Sequence, residues 1–273
     1  MKIVIASGLL LGSLVLPAAA SAQSASWSGA YVGGRLGVIR QPTGKAERIL
    51  FDKNLDGTFN DTVLTATGAD AFSPGFCNGA ARDRVPAASC NFDREGVDGA
   101  LLVGYDADLG GVVVGLVGEI GRGKATDSVS AFSTTPAFYT MTRRLRTNGA
   151  VRARVGVPLG ETLPYVTGGI AIADIDRSFS TSNTANTFSQ RDTNGRVRGI
   201  RLGGGVDQRI GRFTVGLVYL FTNYKDDDYR VRAAGPAPAT NPFILTNASG
   251  TDFRRSDDRF KTHSINATVG YRF

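Results

Sequence analysis

Histidine and cysteine are almost missing from this chain. It has one histidine, His263, and two cysteines, Cys77 and Cys90, in 273 residues. So few soft ligands argue against a His/Cys metal centre, and no metal or cofactor is expected. A serine hydrolase would have to use His263 with its neighbour Ser264. Adjacent strand residues point to opposite faces, so the two cannot come within hydrogen-bond reach of each other. Charged residues are scarce, at 20%. Beyond the first 22 residues, no apolar run approaches the roughly 20 that a membrane helix needs. No long segment carries a 3.6-residue apolar stripe, which removes the helical bundle.

What the chain has is glycine and alternation. Glycine fills 35 positions, which depresses helix formation. The clusters Gly33-Gly34 and Gly203-Gly204-Gly205 sit in β-branched runs with no helix behind them, so a dinucleotide fingerprint is not supported. Tight packing in a narrow barrel accounts for them better. In the last stretch, Arg259–Phe273, the residues Ile265, Ala267, Val269, Tyr271 and Phe273 share one parity. Ser264, Asn266, Thr268, Gly270 and Arg272 share the other. A period of two with one apolar face is a strand between two media.

The first 22 residues read as a secretory signal peptide: Lys2, an apolar core from Ile3 to Leu16, and Ala20-Ser21-Ala22 before a cleavage site at Gln23. A membrane anchor is the alternative, and the apolar run is short for one. Residues 23–273 then form one barrel domain. The formal charge is +7, or +6 once Lys2 leaves with the leader. The arginines are spread along the strands rather than clustered, so nucleic acid is not an expected partner. Anionic lipid head groups and lipopolysaccharide phosphates are.

Eight alternating segments follow: Trp27–Arg40, Val97–Asp108, Gly111–Arg122, Arg143–Val157, Thr162–Ile175, Arg196–Arg209, Arg212–Tyr224 and Arg259–Phe273. Each is close to or above the ~9–11 residues that a tilted strand needs to cross a bilayer. Long connections (Gln41–Gly96, Gly123–Thr142, Asp176–Gly195, Lys225–Asp258) alternate with short ones (Leu109-Gly110, Pro158–Glu161, Ile210-Gly211). That sorting is the habit of outer-membrane barrels. A lipocalin-like soluble barrel is the rival. With the apolar parity outward, Arg35, Asp106, Glu119, Arg152, Arg154, Arg201 and Arg272 point inward. They would form a paired ionic lumen but a poor apolar cavity. The expected fold is therefore all-β: an eight-stranded antiparallel up-and-down transmembrane barrel with long extracellular loops. Tyr31, Tyr165, Tyr219, Tyr271, Phe213, Phe221 and Phe273 are expected in aromatic girdles at the interfaces.

Two stretches carry a resemblance. One is Val151-Arg152-Ala153-Arg154-Val155-Gly156. The other is Leu163-Pro164-Tyr165-Val166-Thr167-Gly168-Gly169. Together with the opening Trp27-Ser28-Gly29-Ala30-Tyr31-Val32-Gly33-Gly34 and the closing Val269-Gly270-Tyr271-Arg272-Phe273, the chain resembles the small outer-membrane β-barrel proteins of alphaproteobacteria, the "porin family" of surface-antigen type. The resemblance implies a Gram-negative outer membrane. It also implies an aromatic-ended last strand, Tyr271 and Phe273, that the outer-membrane assembly machinery reads. The first loop, Gln41–Gly96, is longer than is usual in that family.

That loop holds both cysteines. In an exported chain an even pair reads as a disulfide, Cys77 with Cys90, contributing about 3 kcal/mol to the lobe it closes. It also holds Asp52-Lys53-Asn54-Leu55-Asp56-Gly57, the first half of a calcium loop. Val63 stands where a bidentate glutamate is needed, so an Asx-rich turn is the plainer reading. Three functions stay open: a structural, surface-exposed envelope barrel; a passive pore; and a lipid-modifying enzyme, which the histidine argument disfavours. An eight-stranded barrel is only wide enough for its side chains to fill, so the first is expected.

Overall fold

The computed structural model describes residues 26–42, 47–93 and 95–273. The expected leader, Met1–Ala22, lies outside them. Eight long strands build the body: β1 (Gly29–Arg40), β2 (Gly96–Asp108), β3 (Val113–Gly123), β4 (Ala137–Gly156), β5 (Thr162–Thr181), β6 (Asn194–Ile210), β7 (Phe213–Lys225) and β8 (Arg259–Arg272). Each pairs antiparallel with the next. β8 returns to β1 in the register Tyr31↔Arg272 through Arg40↔His263, which closes the sheet. Closure removes both edges, so every strand finds a backbone partner on each side.

The alternation decides which way the barrel faces. Leu36, Leu101, Leu116, Ile120, Val151, Ile170, Ile200, Leu217 and Ile265 are all exposed on the outside, Leu101 by 71% and Ile170 by 70%. The opposite parity turns inward and is buried. Glycine lets that interior be narrow. A side chain on Gly104 would run into the Tyr31 ring, and one on Gly115 would run into the Asp106 carboxylate.

Two strands outrun the sequence reading. β4 begins six residues before Arg143, and β5 continues six residues beyond Ile175. A bulge on β4 between Leu145 and Asn148, opposite Ile175 and Ala173, shifts the register and breaks the alternation of β4. β5 keeps its alternation but turns polar outward at Asp174, Asp176 and Ser178. The upper part of β4 is also half of a hairpin with Thr126–Ser133. The expected loop Gly123–Thr142 is therefore mostly strand.

The remaining long connections fold as well. Thr187–Arg191, Arg230–Ala234, Thr251–Arg255 and Ile49–Asp52 form a four-stranded sheet in that order. This sheet and the β4 hairpin share one apolar core that includes Phe51, Phe72, Val129, Tyr139, Met141, Val231, Phe243 and Phe253. Phe51 stacks on Phe72 at 4.4 Å, and most other rings meet edge to face or tilted, as Phe51 and Phe253 do at 5.1 Å and Tyr139 and Phe243 at 5.5 Å. Such pairs add about 0.5–1.5 kcal/mol each beyond area burial. The long-loop end of the barrel is thus a folded cap.

Cys77 and Cys90 are disulfide-bonded with a Cα–Cα distance of 6.3 Å. Cys77 also pairs with Ser130 of the hairpin, so the bridge pins the intervening lobe to the cap. The Asp52-Asn54-Asp56 segment is an Asx turn. Asp52 accepts from the Gly57 N–H at 2.8 Å, and Asp56 accepts from the Thr58 N–H at 2.7 Å. Those oxygens serve the turn, and Val63, the twelfth position, is buried in the cap core.

Candidate functional site

The lumen brings chemistry-bearing side chains together in number, and it is filled in layers. At the short-turn end Trp27, Val113 and Leu163 form an apolar floor. The Trp27 indole N–H donates to the Gly160 carbonyl at 3.2 Å. Arg272 lies over the Trp27 ring at 5.2 Å and donates to the Trp27 carbonyl at 2.6 Å.

Above the floor lies a first ionic tier. Arg154 donates from Nε to Asp106 at 2.7 Å and from Nη1 to Asp207 at 2.8 Å. Arg272 pairs with the same Asp106. The Tyr31 and Tyr165 rings flank the Arg154 guanidinium at 4.9 and 5.1 Å. These two tyrosines were expected in the interface girdle and are instead buried in the lumen. Tyr31 shares the parity of Arg35, four residues on, and a strand cannot turn one of them outward without the other.

The second tier centres on Glu119. Arg152 reaches it at 3.0 Å and Arg35 at 3.2 Å, and Arg201 pairs with it from across the barrel. Arg35 also pairs with Asp98 and donates to the Asn266 side chain at 3.0 Å. Arg201 donates to Thr222 at 2.8 Å and to Tyr224 at 3.0 Å. All seven residues expected in the lumen therefore lie there, in two groups. Asp98 and Asp207 complete the groups and were not named from sequence. Their signal was present: Asp98 has the parity of Asp106 on β2, and Asp207 that of Arg201 on β6.

Above these tiers the lumen departs from the expected all-polar interior. Ile39, Leu145, Ile175, Val197, Tyr224 and Phe260 pack with several alanines into an apolar plug. Beyond the plug, at the neck under the cap, a third ionic tier joins barrel to cap. Arg143 donates to Asp127 at 2.6 Å, Arg177 pairs with Asp226 at 2.6 Å, and Arg255 reaches Glu47 at 2.7 Å and Asp127 at 2.5 Å. Burial pushes up the Glu47 carboxyl against the pull of Arg255. Asp127 is held below the usual carboxylate range, because Arg255 and Arg143 outweigh its burial. This tier was not legible, because Glu47, Asp127, Asp226 and Arg255 lie in connections with no long alternating run from which a facing could be read.

His263 and Ser264 do point to opposite faces. His263 meets the Tyr219 hydroxyl on the outside, while Ser264 is buried and accepts from Asn266 at 3.0 Å. Among the described residues no group of His, Cys, Asp and Glu could hold a metal ion.

A closed eight-stranded barrel with an apolar exterior and an ionic interior is the architecture of a bilayer-spanning protein. The family model for the outer membrane protein beta-barrel domain matches residues 8–273. The chain belongs to this family. It is an integral protein of a Gram-negative outer membrane. It is 30% identical over 135 residues to a 22 kDa outer membrane protein of Rhizobium leguminosarum bv. viciae, a match covering 49% of this chain and 56% of the relative. The chain thus spans little more than half the length of that relative. Among solved structures it is similar to the outer membrane protein OprG of Pseudomonas aeruginosa, with a TM-score of 0.44 at 11% identity, covering 91% of this chain and 98% of that one.

In an outer-membrane barrel the short turns face the periplasm and the long connections face outward. The Trp27 floor is then periplasmic and the cap extracellular. The two rims differ. Above the apolar belt the first charged outward residues of β1, β3, β4, β6, β7 and β8 are Arg40, Arg122, Arg146, Arg198, Lys225 and Lys261, and that of β5 is Asp174. Arg40, Arg146 and Lys225 pair with Glu95, Asp176 and Asp227, which leaves Arg122, Arg198 and Lys261 without a carboxylate partner among the described residues. At the periplasmic end the outward positions hold Tyr105, Leu159, Phe213, Tyr271 and Phe273. The rings of Phe213, Tyr271 and Phe273 form a run with centroids 5.3 and 5.4 Å apart.

Proposed function

We propose that this family member is a non-conducting envelope barrel that anchors and displays its folded cap at the cell surface. The observation that carries the reading is the lack of room in the lumen. The cavity among Tyr31, Arg35, Arg152, Arg154, Tyr165 and Asp207 has a volume of about 40 Å³. That holds a few waters at most, and the apolar plug stands above it. Planar-bilayer recording of the folded protein tests this. Membranes that stay silent after insertion are expected, and steady open steps would instead favour the passive pore.

The proposal extends to partners. The basic outer rim suits lipopolysaccharide phosphates. A groove of about 800 Å³ on the lipid face, between Leu36, Leu101 and Ile120 and headed by Arg122, suits acyl chains. Neutralising Arg122 and Arg198 together should weaken retention of lipopolysaccharide by the purified barrel. Export by the leader Met1–Ala22, and recognition of Tyr271 and Phe273 by the assembly machinery, belong to the same proposal.

A further inference from the structure

Between the cap sheet and the neck lies a cavity of about 270 Å³. This is just below the roughly 300 Å³ at which small-molecule pockets begin. Its charges do not balance. Asp226 is taken by Arg177 and Arg143, Asp227 by Lys225 at 2.8 Å, and Asp258 by Arg259 at 3.7 Å. Arg143, Arg177 and Arg255 have their own carboxylates.

Two guanidiniums in the lining, Arg230 and Arg254, pair with no carboxylate among the described residues. Arg230 donates only to backbone carbonyls, those of Asp227 at 2.7 Å and Tyr229 at 3.1 Å. The buried Nε of Arg254 has no hydrogen-bond partner. Both are held against one buried ring, Phe59, with the guanidinium carbons 4.8 and 4.7 Å from its centroid. Two like charges are thus brought together on a shared support. Burial, and then the charge of Arg254, make the Arg230 proton easier to lose than usual, against the smaller pull of Asp227, Asp228 and Asp252.

We propose that this cavity binds a small phosphate-bearing anion between Arg230 and Arg254. A guanidinium offers a fork of donors matched to two oxygens of such a group. A tetrahedral phosphate presents three or more oxygens to the two forks, whereas a carboxylate must share its two between them, as Asp106 does between Arg154 and Arg272. Phe59 orders both forks before the ligand arrives, which lowers the entropy lost on binding. The phosphate could be free or carried by a lipid head group, since the cap stands over the outer leaflet. The inference is independent of whether the lumen conducts.

The test uses the folded full-length protein in detergent micelles, titrated with inorganic phosphate at constant ionic strength and followed by calorimetry. A chloride titration is the blank. Saturable heat is expected for the native protein, with at least a tenfold weaker response in Arg230→Gln and in Arg254→Gln. Arg230→Lys, which keeps the charge and loses the fork, should fall between. The heat-shifted gel band of each variant controls for folding. If phosphate alone gives nothing but micelles doped with lipopolysaccharide give a response that both glutamine variants lose, the phosphate is a lipid head group's. A response to neither probe, or one that survives in both glutamine variants, overturns the proposal.

Discussion

Barrel and cap are made from the same chain and the same kind of strand, yet they are built inside out relative to each other. In the barrel the apolar residues point away from the centre and arginines and carboxylates fill it. In the cap, phenylalanines, two tyrosines and aliphatic side chains fill the centre. The difference follows from the surrounding medium. Lipid accepts Leu101 and Ile170 at no cost and rejects an arginine by about 2–4 kcal/mol near the midplane. Water rewards the burial of Phe51 and Phe253 by roughly 25 cal/mol per Å². The two halves should therefore fail in different ways.

The barrel should be the more fragile to a single polar deletion. Glu119→Ala leaves three buried arginines short of a carboxylate, and breaking a buried pair costs about 3–5 kcal/mol. The expected result is loss of most of the heat-shifted folded form, with a lower urea midpoint in the remainder. Phe253→Ala should cost about as much, ~3–5 kcal/mol, but only in the cap. Protease should then cut the cap while the heat-shifted barrel band persists. A variant that lost both together would show the two halves to be one cooperative unit.

Reducing the Cys77–Cys90 bridge, or replacing both cysteines with serine, should remove about 3 kcal/mol from the lobe alone. Limited proteolysis between residues 79 and 89 reads this out. Deleting Phe273 should lower the yield of inserted protein in cells while leaving the urea midpoint of the inserted fraction nearly unchanged. Equal yield would count against an assembly role.

The smallest effect concerns Asp93, whose carboxylate accepts from the Ser128 N–H at 3.2 Å. Burial, and then the nearby Asp127 charge, push it from 3.8 up to about 6. The folded cap then holds this proton more tightly than the unfolded chain does. Its contribution to stability is full below about pH 3.8 and fades as pH rises through 6. Asp93→Asn should flatten that part of the cap's pH–stability profile.

Each of the eight barrel strands was legible in outline, because β strands between unlike media must alternate. Seven lumen charges followed from the same parity. Asp98, Asp207 and the inward tyrosines Tyr31 and Tyr165 were legible too, had parity been weighed above the habit of placing aromatics at interfaces. The tops of β4 and β5 were not, because a bulge between Leu145 and Asn148 interrupts the pattern of β4, and the outward face of β5 turns from apolar to polar at Asp174 and Asp176. The strands of the cap's four-stranded sheet are four or five residues long, too short for a period to show.

The sequence by itself thus determined the barrel. The period of two, the inward charges and the sorting of long and short connections are local properties, and lipid on one side leaves a strand one way to face. Only the tertiary structure decided the cap, the neck tier and the Arg230–Arg254 cavity. They join Glu47 to Arg255 and Asp127 to Arg143, and set Phe59 beside Arg230 and Arg254. Contacts between connecting segments depend on loop closure and packing, and no periodicity along the chain records them.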